Sequence, residues 1–192
     1  MTAVLQPSPI SIQDYLSGEE ASGVKHEYLD GTVHAMAGGT NDHAAISANA
    51  IGSLFAALRG NSCRTFSSDT KIRIDFADHT RFYHPDAQVV CQLNSGTELY
   101  QDRPAVVVEV LSESTRRTDL GEKKDAYLSI PSLKALILAE SDRPYVLVYR
   151  RRAEGGFAAE EYTGTEAVIQ LPEIGATLPL SELYDGIKFP SA

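Results

Sequence analysis

The chain has 192 residues, 43% of them hydrophobic, and a formal net charge of −9. Length and apolar content suit one globular domain over residues 1–192, with its core over 10–185 and no Pro/Gly/Ser-rich linker. The acidic balance excludes a protein that coats nucleic acid by charge alone, but not an enzyme whose carboxylates meet a cation. No signal-like leader is visible, and no apolar run approaches the roughly 20 residues a membrane helix needs, so we expect a cytoplasmic protein with no membrane partner. Cys63 and Cys91 have neither metal-ligand spacing nor the density of a disulfide framework, and read as small buried hydrophobes.

Ser11 caps a short helix that carries Ile12, Tyr15 and Leu16. Asp30-Gly31 between apolar flanks predicts a tight hairpin over 27–33. Thr40 or Asn41 caps a longer helix, with His43 in its first turn and Ile46, Ala50, Leu54 and Leu58 recurring at i+4 as a buried face. Strands follow at 63–67, 70–76, 82–92 and 104–111. A second long helix over 119–130 stops at Pro131. Further strands fall at 133–138 and 145–150, where Arg150-Arg151-Arg152 leads out into solvent, and a small helix lies near 180–184. This order is that of an α/β fold, a mixed β-sheet core flanked by helices.

Two acids interrupt apolar strand-like runs: Asp86, after His84-Pro85, and Glu109, in Val107-Val108-Glu109-Val110-Leu111. A carboxylate buried alone is costly unless it is paired or binds a metal. Arriving on adjacent strands, the two make a ligand set for Mg²⁺, which takes one or two carboxylates and keeps several waters, with Mn²⁺ as a substitute. The Val110 carbonyl can add a backbone ligand. Water-driven cleavage of a phosphodiester needs such a cation to bind the phosphate and acidify a water. Lys123 can orient that water if its helix packs on the strand of Glu109; Lys124, one helical step of about 100° further, is the alternative. His43, in a helical first turn, suits a cap or the edge of the core. His84, two residues before Asp86, shares its face and reads as a structural neighbour. Arg116 and Arg117 suit either a nucleic-acid backbone or a solvated turn. Asp69 and Lys71 alternate along a strand and read as paired with each other or with solvent.

Several ordered stretches carry a family likeness: Lys25-His26-Glu27-Tyr28-Leu29-Asp30-Gly31, Ala35-Met36-Ala37-Gly38-Gly39 with His43, Ser68-Asp69-Thr70-Lys71-Ile72, His84-Pro85-Asp86, Val108-Glu109-Val110-Leu111-Ser112-Glu113-Ser114-Thr115, Asp119-Leu120-Gly121-Glu122-Lys123 and Ile130-Pro131-Ser132-Leu133. Over nearly the whole chain this series resembles the PD-(D/E)XK nuclease superfamily, in particular its Uma-two-like restriction endonuclease branch. The resemblance implies a restriction-endonuclease-like fold with a four-stranded mixed core and a Mg²⁺-dependent endonuclease acting on DNA. It also implies Asp86 and Glu109 as metal ligands, Glu27 as a further acid of the site and His43 as a contact to a phosphate. The position two after Glu109 is Leu111 rather than lysine, which turns attention to Lys123. Cutting both strands of a duplex at once calls for two sites, hence a homodimer. The competing readings are a catalytically silent nuclease-fold binding module and a metal hydrolase for a small phosphorylated substrate.

Overall fold

The computed structural model describes residues 8–36, 38–112 and 116–189, apart from the side chain of Arg117. Helix α1 (Ile12–Ala21) begins where the Ser11 hydroxyl accepts the Asp14 N–H. Strands β1 (His26–Leu29) and β2 (Thr32–Ala35) form the predicted hairpin. Asp30 and Gly31 take φ of 54° and 92°, the pair of positive values a type I′ turn needs. A Cβ on Gly31 would also fall 2.6 Å from Pro9 Cβ. Helix α2 (Asn41–Ala57) is capped by Thr40, whose side chain accepts the His43 N–H, and buries Ile46, Ala50 and Leu54 as their i+4 spacing requires.

Strands β3 (Arg64–Ser67) and β4 (Lys71–Asp75) follow. The expected strand over 82–92 is two strands, β5 (Thr80–Tyr83) and β6 (Ala87–Val90), which belong to different sheets. Pro85 has no N–H to give a ladder, and the chain crosses between sheets there. Asp86 is therefore not on a strand but in the crossing, one residue before β6. After β7 (Tyr100–Gln101) comes β8 (Pro104–Leu111). The expected helix over 119–130 also divides, into α3 (Arg116–Asp119) and α4 (Glu122–Leu128). Gly121 separates them with a ψ of −113°, outside the helical range. The chain continues through β9 (Ala135–Glu140), β10 (Tyr145–Arg151), β11 (Phe157–Thr163), β12 (Val168–Leu171), β13 (Ala176–Pro179) and α5 (Leu180–Leu183).

The main sheet is mixed and six-stranded, in the order β11-β10-β9-β8-β6-β3, with β8 parallel to β9 and antiparallel to β6. It is the mixed α/β architecture expected, although wider than the four strands implied. A five-stranded sheet, β2-β1-β5-β4-β7, carries the hairpin, and β12 pairs with β13. All eight residues of β8 are buried. Val106, Val108 and Val110 pack into the cluster that contains Ile46, Ala50 and Leu54 of α2; Val107 and Leu111 pack with Ala126 and Tyr127 of α4. Burying each such side chain contributes about 1.5–3 kcal/mol, so this strand anchors both layers. The strand's period of two then gives Glu109 to the α4 face.

Three further expectations change. Cys63 and Cys91 are joined as a disulfide, with Cα atoms 3.9 Å apart. They sit one step beyond the Arg64↔Val90 pair, so the β3–β6 register brings them face to face. Arg150 and Arg151 do not run out into solvent, because β10 is flanked by β9 and β11. Arg150 binds Glu160 at 2.8 Å, and Arg151 donates to the carbonyls of Leu133 and Ile130. Asp69 pairs with Lys25 at 2.7 Å rather than with Lys71, which is buried 3.7 Å from Glu19. Among the described residues no helix is long and apolar enough to cross a membrane.

Candidate active site

Helix α4 lies across the Glu109 face of β8. Lys123 and Tyr127, four residues apart, therefore point the same way and meet the same carboxylate. Lys123 Nζ is 2.9 Å from Glu109 Oε1, and the Tyr127 hydroxyl donates to that oxygen at 2.7 Å. The ammonium also lies 3.2 Å from Glu27 on β1 and 3.8 Å from Asp119 at the end of α3. Glu27 Oε1 is off-line for a hydrogen bond despite this approach and makes no other. The rings of Tyr83 and Tyr127 complete the surroundings, their centroids 5.7 and 6.0 Å from Nζ. Lys124 turns elsewhere, to Asp125 at 3.3 Å and over the Tyr149 ring.

Asp86 is held from the other side of the sheet. Beyond the last β6–β8 pair, the Val110 N–H is left without a strand partner, and it donates to Asp86 Oδ2 at 2.7 Å. In an extended strand the N–H and C=O of one residue point the same way, so the Val110 carbonyl also faces this side. Ser47 on α2 donates to Asp86 Oδ1 at 3.0 Å, and His43, one turn earlier, places Nε2 3.4 Å from Oδ2. A Cβ on Gly39 would fall 2.7 Å from His43 Nδ1, so the bare glycine leaves the room this imidazole occupies.

The charges are unbalanced. Lys123 faces Glu109, Glu27 and Asp119, with Asp86 nearby. Burial alone would lower the lysine, but the three carboxylates outweigh it and hold the ammonium above its ordinary value. Burial pushes the Glu109 carboxyl up to about 8; Lys123 pulls against this, while Asp86 and Asp119 add to it. The proton of this pair stays on Lys123, and Glu109 is the acid that titrates. Burial raises Asp86 too, but the contacts from His43 and Val110 win and leave it below its usual value. His43 is raised by its hydrogen bond to Asp86.

A cavity of about 70 Å³ lies at the centre, lined among others by Asp86, Glu109, Asp119, Lys123, His43 and His84. Among the described residues no three His, Cys, Asp or Glu side chains converge into a ready-made metal cage. The oxygen donors to hand include the carboxylates of Asp86, Glu109 and Asp119 and the Val110 carbonyl.

The fold thus gathers Asp86, Glu109, Val110, Lys123, Glu27 and His43. His84 joins the lining but is tied down by Nδ1, 2.6 Å from the Ser68 carbonyl. Arg116 is engaged by Glu140 at the end of β9, and the side chain of Arg117 lies outside the described residues. Sequence reasoning missed Tyr127, Ser47 and Asp119. Each stands four residues from a residue it did identify, Tyr127 and Asp119 from Lys123 and Ser47 from His43, so a search at helical spacing would have found them.

Comparison with known proteins agrees with this picture. The Uma2 profile, described as "Putative restriction endonuclease", matches residues 12–181. Protein slr1290 of Synechocystis sp. strain PCC 6803, itself uncharacterized, is 32% identical over 182 residues, 94% of either chain. Protein sll1609 of the same organism, also uncharacterized, is 24% identical and covers 88% of this chain and 97% of its own. A crystal structure of "a putative nuclease belonging to DUF820" from Anabaena variabilis superposes with a TM-score of 0.70. It is 18% identical and covers 92% of this chain and 98% of the other. At that identity the likeness is one of fold.

Proposed function

The chain belongs to the Uma2 family, and from that premise and the geometry around Asp86 we propose that it is a Mg²⁺-dependent endonuclease that hydrolyses DNA phosphodiester bonds. The observation that carries this reading is the set Asp86, Glu109 and Lys123 around one small cavity, with carboxylates in excess of the single ammonium. The donor set fits Mg²⁺, a hard cation that takes one or two carboxylates and keeps its waters. A cavity of about 70 Å³ leaves room for water beside an ion, since a liquid water occupies roughly 30 Å³. Burial above all holds the Glu109 carboxyl up, with Asp86 and Asp119 adding to it, and a divalent ion would favour its charged form. Asp86, Glu109 and the Val110 carbonyl would hold it. Bound there, Mg²⁺ (or Mn²⁺) supplies a Lewis acid for the phosphate and an acidified water.

The chain's own side chains do the rest. Lys123 is kept cationic, so it does not serve as a general base; it orients the attacking water and offsets charge on the phosphate. Glu27 and Asp119 fix the ammonium, and Tyr127 fixes Glu109. His43, beside Asp86 and favoured in its protonated form, contacts a phosphate oxygen. Arg116 holds Glu140 at the margin, where its remaining N–H donors face a nucleic-acid backbone.

The test is a plasmid nicking and linearisation assay in Mg²⁺ and in Mn²⁺. We expect metal-dependent cleavage by the wild type and none by Asp86→Ala. Absence of cleavage by the wild type on plasmid, single-stranded DNA and RNA would overturn the reading.

A further inference from the structure

A second, more open trough of about 450 Å³ adjoins the central cavity and shares Met36, Gly38, Gly39, His43 and Asp86 with it. One wall is the uncharged face of α2, with Ala44, Ala48 and Ile51; Lys25 and Ser68 stand on the other. Asp86 is the sole acid among its described lining residues, against Lys25 and His43. In a chain of net charge −9, that balance makes the trough an approach for an anion. Its volume lies within the range of small-molecule sites, enough for one sugar and base but not for a duplex.

Lys25 is available to such a ligand. Its ammonium touches Ser68 Oγ at 2.9 Å and Asp69 at 2.7 Å. The pair is open to water, with side chains 40% and 79% exposed, and exposed pairs of this kind are weak. Gly38 adds an independent observation. A Cβ there would meet nothing within 4 Å among the described residues, so packing against them does not call for glycine. Yet Gly38 lines both the cavity and the trough, and a side chain there would stand in the passage between them.

Building on the nuclease reading above, we propose that this trough seats the nucleotide next to the scissile phosphate of a DNA strand. Its sugar and base lie along Ala44, Ala48 and Ile51, and its own phosphate rests on Lys25. Gly38 keeps the strand's path from trough to cavity open.

The test is fluorescence anisotropy of an end-labelled single-stranded DNA oligonucleotide with the full chain, in Ca²⁺ and over a range of salt. Lys25→Ala should weaken binding and flatten the slope of log K against log salt by about 0.7, the value for one lost phosphate contact on a single strand. Asp69→Asn breaks the same ion pair but keeps the cation, so it should bind at least as tightly as the wild type. Gly38→Leu should weaken binding about tenfold or more while its thermal melt stays unchanged, because a clash built against the bound strand acts on binding and not on the fold. If Lys25→Ala and Asp69→Asn act alike, or Gly38→Leu binds normally, while the wild type still nicks plasmid, the trough assignment is overturned and the nuclease reading stands. If the wild type neither binds nor cuts DNA, both fall.

Discussion

Lys123→Met keeps most of the side-chain volume and removes the charge on which the site's acids converge. That charge lies 2.9 Å from Glu109, 3.2 Å from Glu27 and 3.8 Å from Asp119, with only 7% of the side chain exposed. At an effective dielectric of about 20, the direct attraction to Glu109 alone is roughly 6 kcal/mol. Desolvation of the buried ions cancels much of this, and removing one partner of a buried pair costs about 3–5 kcal/mol in practice. We expect the lower end, about 3 kcal/mol, because Glu109, pushed up to about 8, already carries a proton most of the time at pH 7 and so leaves less unpaired charge behind when the cation goes. Urea unfolding in EDTA at pH 7, followed by circular dichroism, reads this directly; with m of about 2 kcal/mol/M the midpoint falls by about 1.5 M. Adding Glu109→Gln should restore about half of the loss, because the two residues are in contact and couple. A loss under about 1 kcal/mol with no coupling would refute Lys123 as the counter-charge of the site.

Gly39→Ala places a Cβ 2.7 Å from His43 Nδ1 and should lower nicking about ten- to a hundredfold through misplacement alone, with an unchanged urea midpoint; full activity would show that the imidazole position does not matter. His84 is buried, and burial holds it below its ordinary value of 6.5. The unfolded chain therefore binds this proton first, so the contribution of His84 is complete above pH 6.5 and is lost as pH falls towards its folded value, at up to about 1.4 kcal/mol per pH unit. Urea midpoints at pH 7.5 and 5.5 should show a drop that is smaller in His84→Gln, and an equal drop in both would assign the effect elsewhere. Reducing the Cys63–Cys91 bridge, which spans 28 residues, should cost at most about 3–4 kcal/mol by loop entropy. Identical unfolding curves with and without dithiothreitol, and for the Cys63→Ser/Cys91→Ser double variant, would argue against the bridge.

Local patterns determined a good deal. Asp30-Gly31 dictates a turn because two consecutive positive φ values suit few other pairs. The i+4 row from Ile46 to Leu54 announces the buried face of α2, and the β-branched run around Glu109 announces a strand buried on both sides. The acids and Lys123 stood out because their chemistry is at odds with such surroundings. What the sequence could not reveal is what depends on pairing between distant segments. Pro85 marks a break, but only the sheet order shows that the chain changes sheets there and leaves Asp86 against the free N–H of Val110. Nothing in the spacing of Cys63 and Cys91 signals a bridge; the β3–β6 register makes them neighbours. Glu27 joins Lys123 from nearly a hundred residues away because the hairpin strand and α4 meet beside β8. Side-chain type and short-range periodicity are properties of the chain itself, whereas register and the meeting of layers arise only once long-range packing has selected one arrangement.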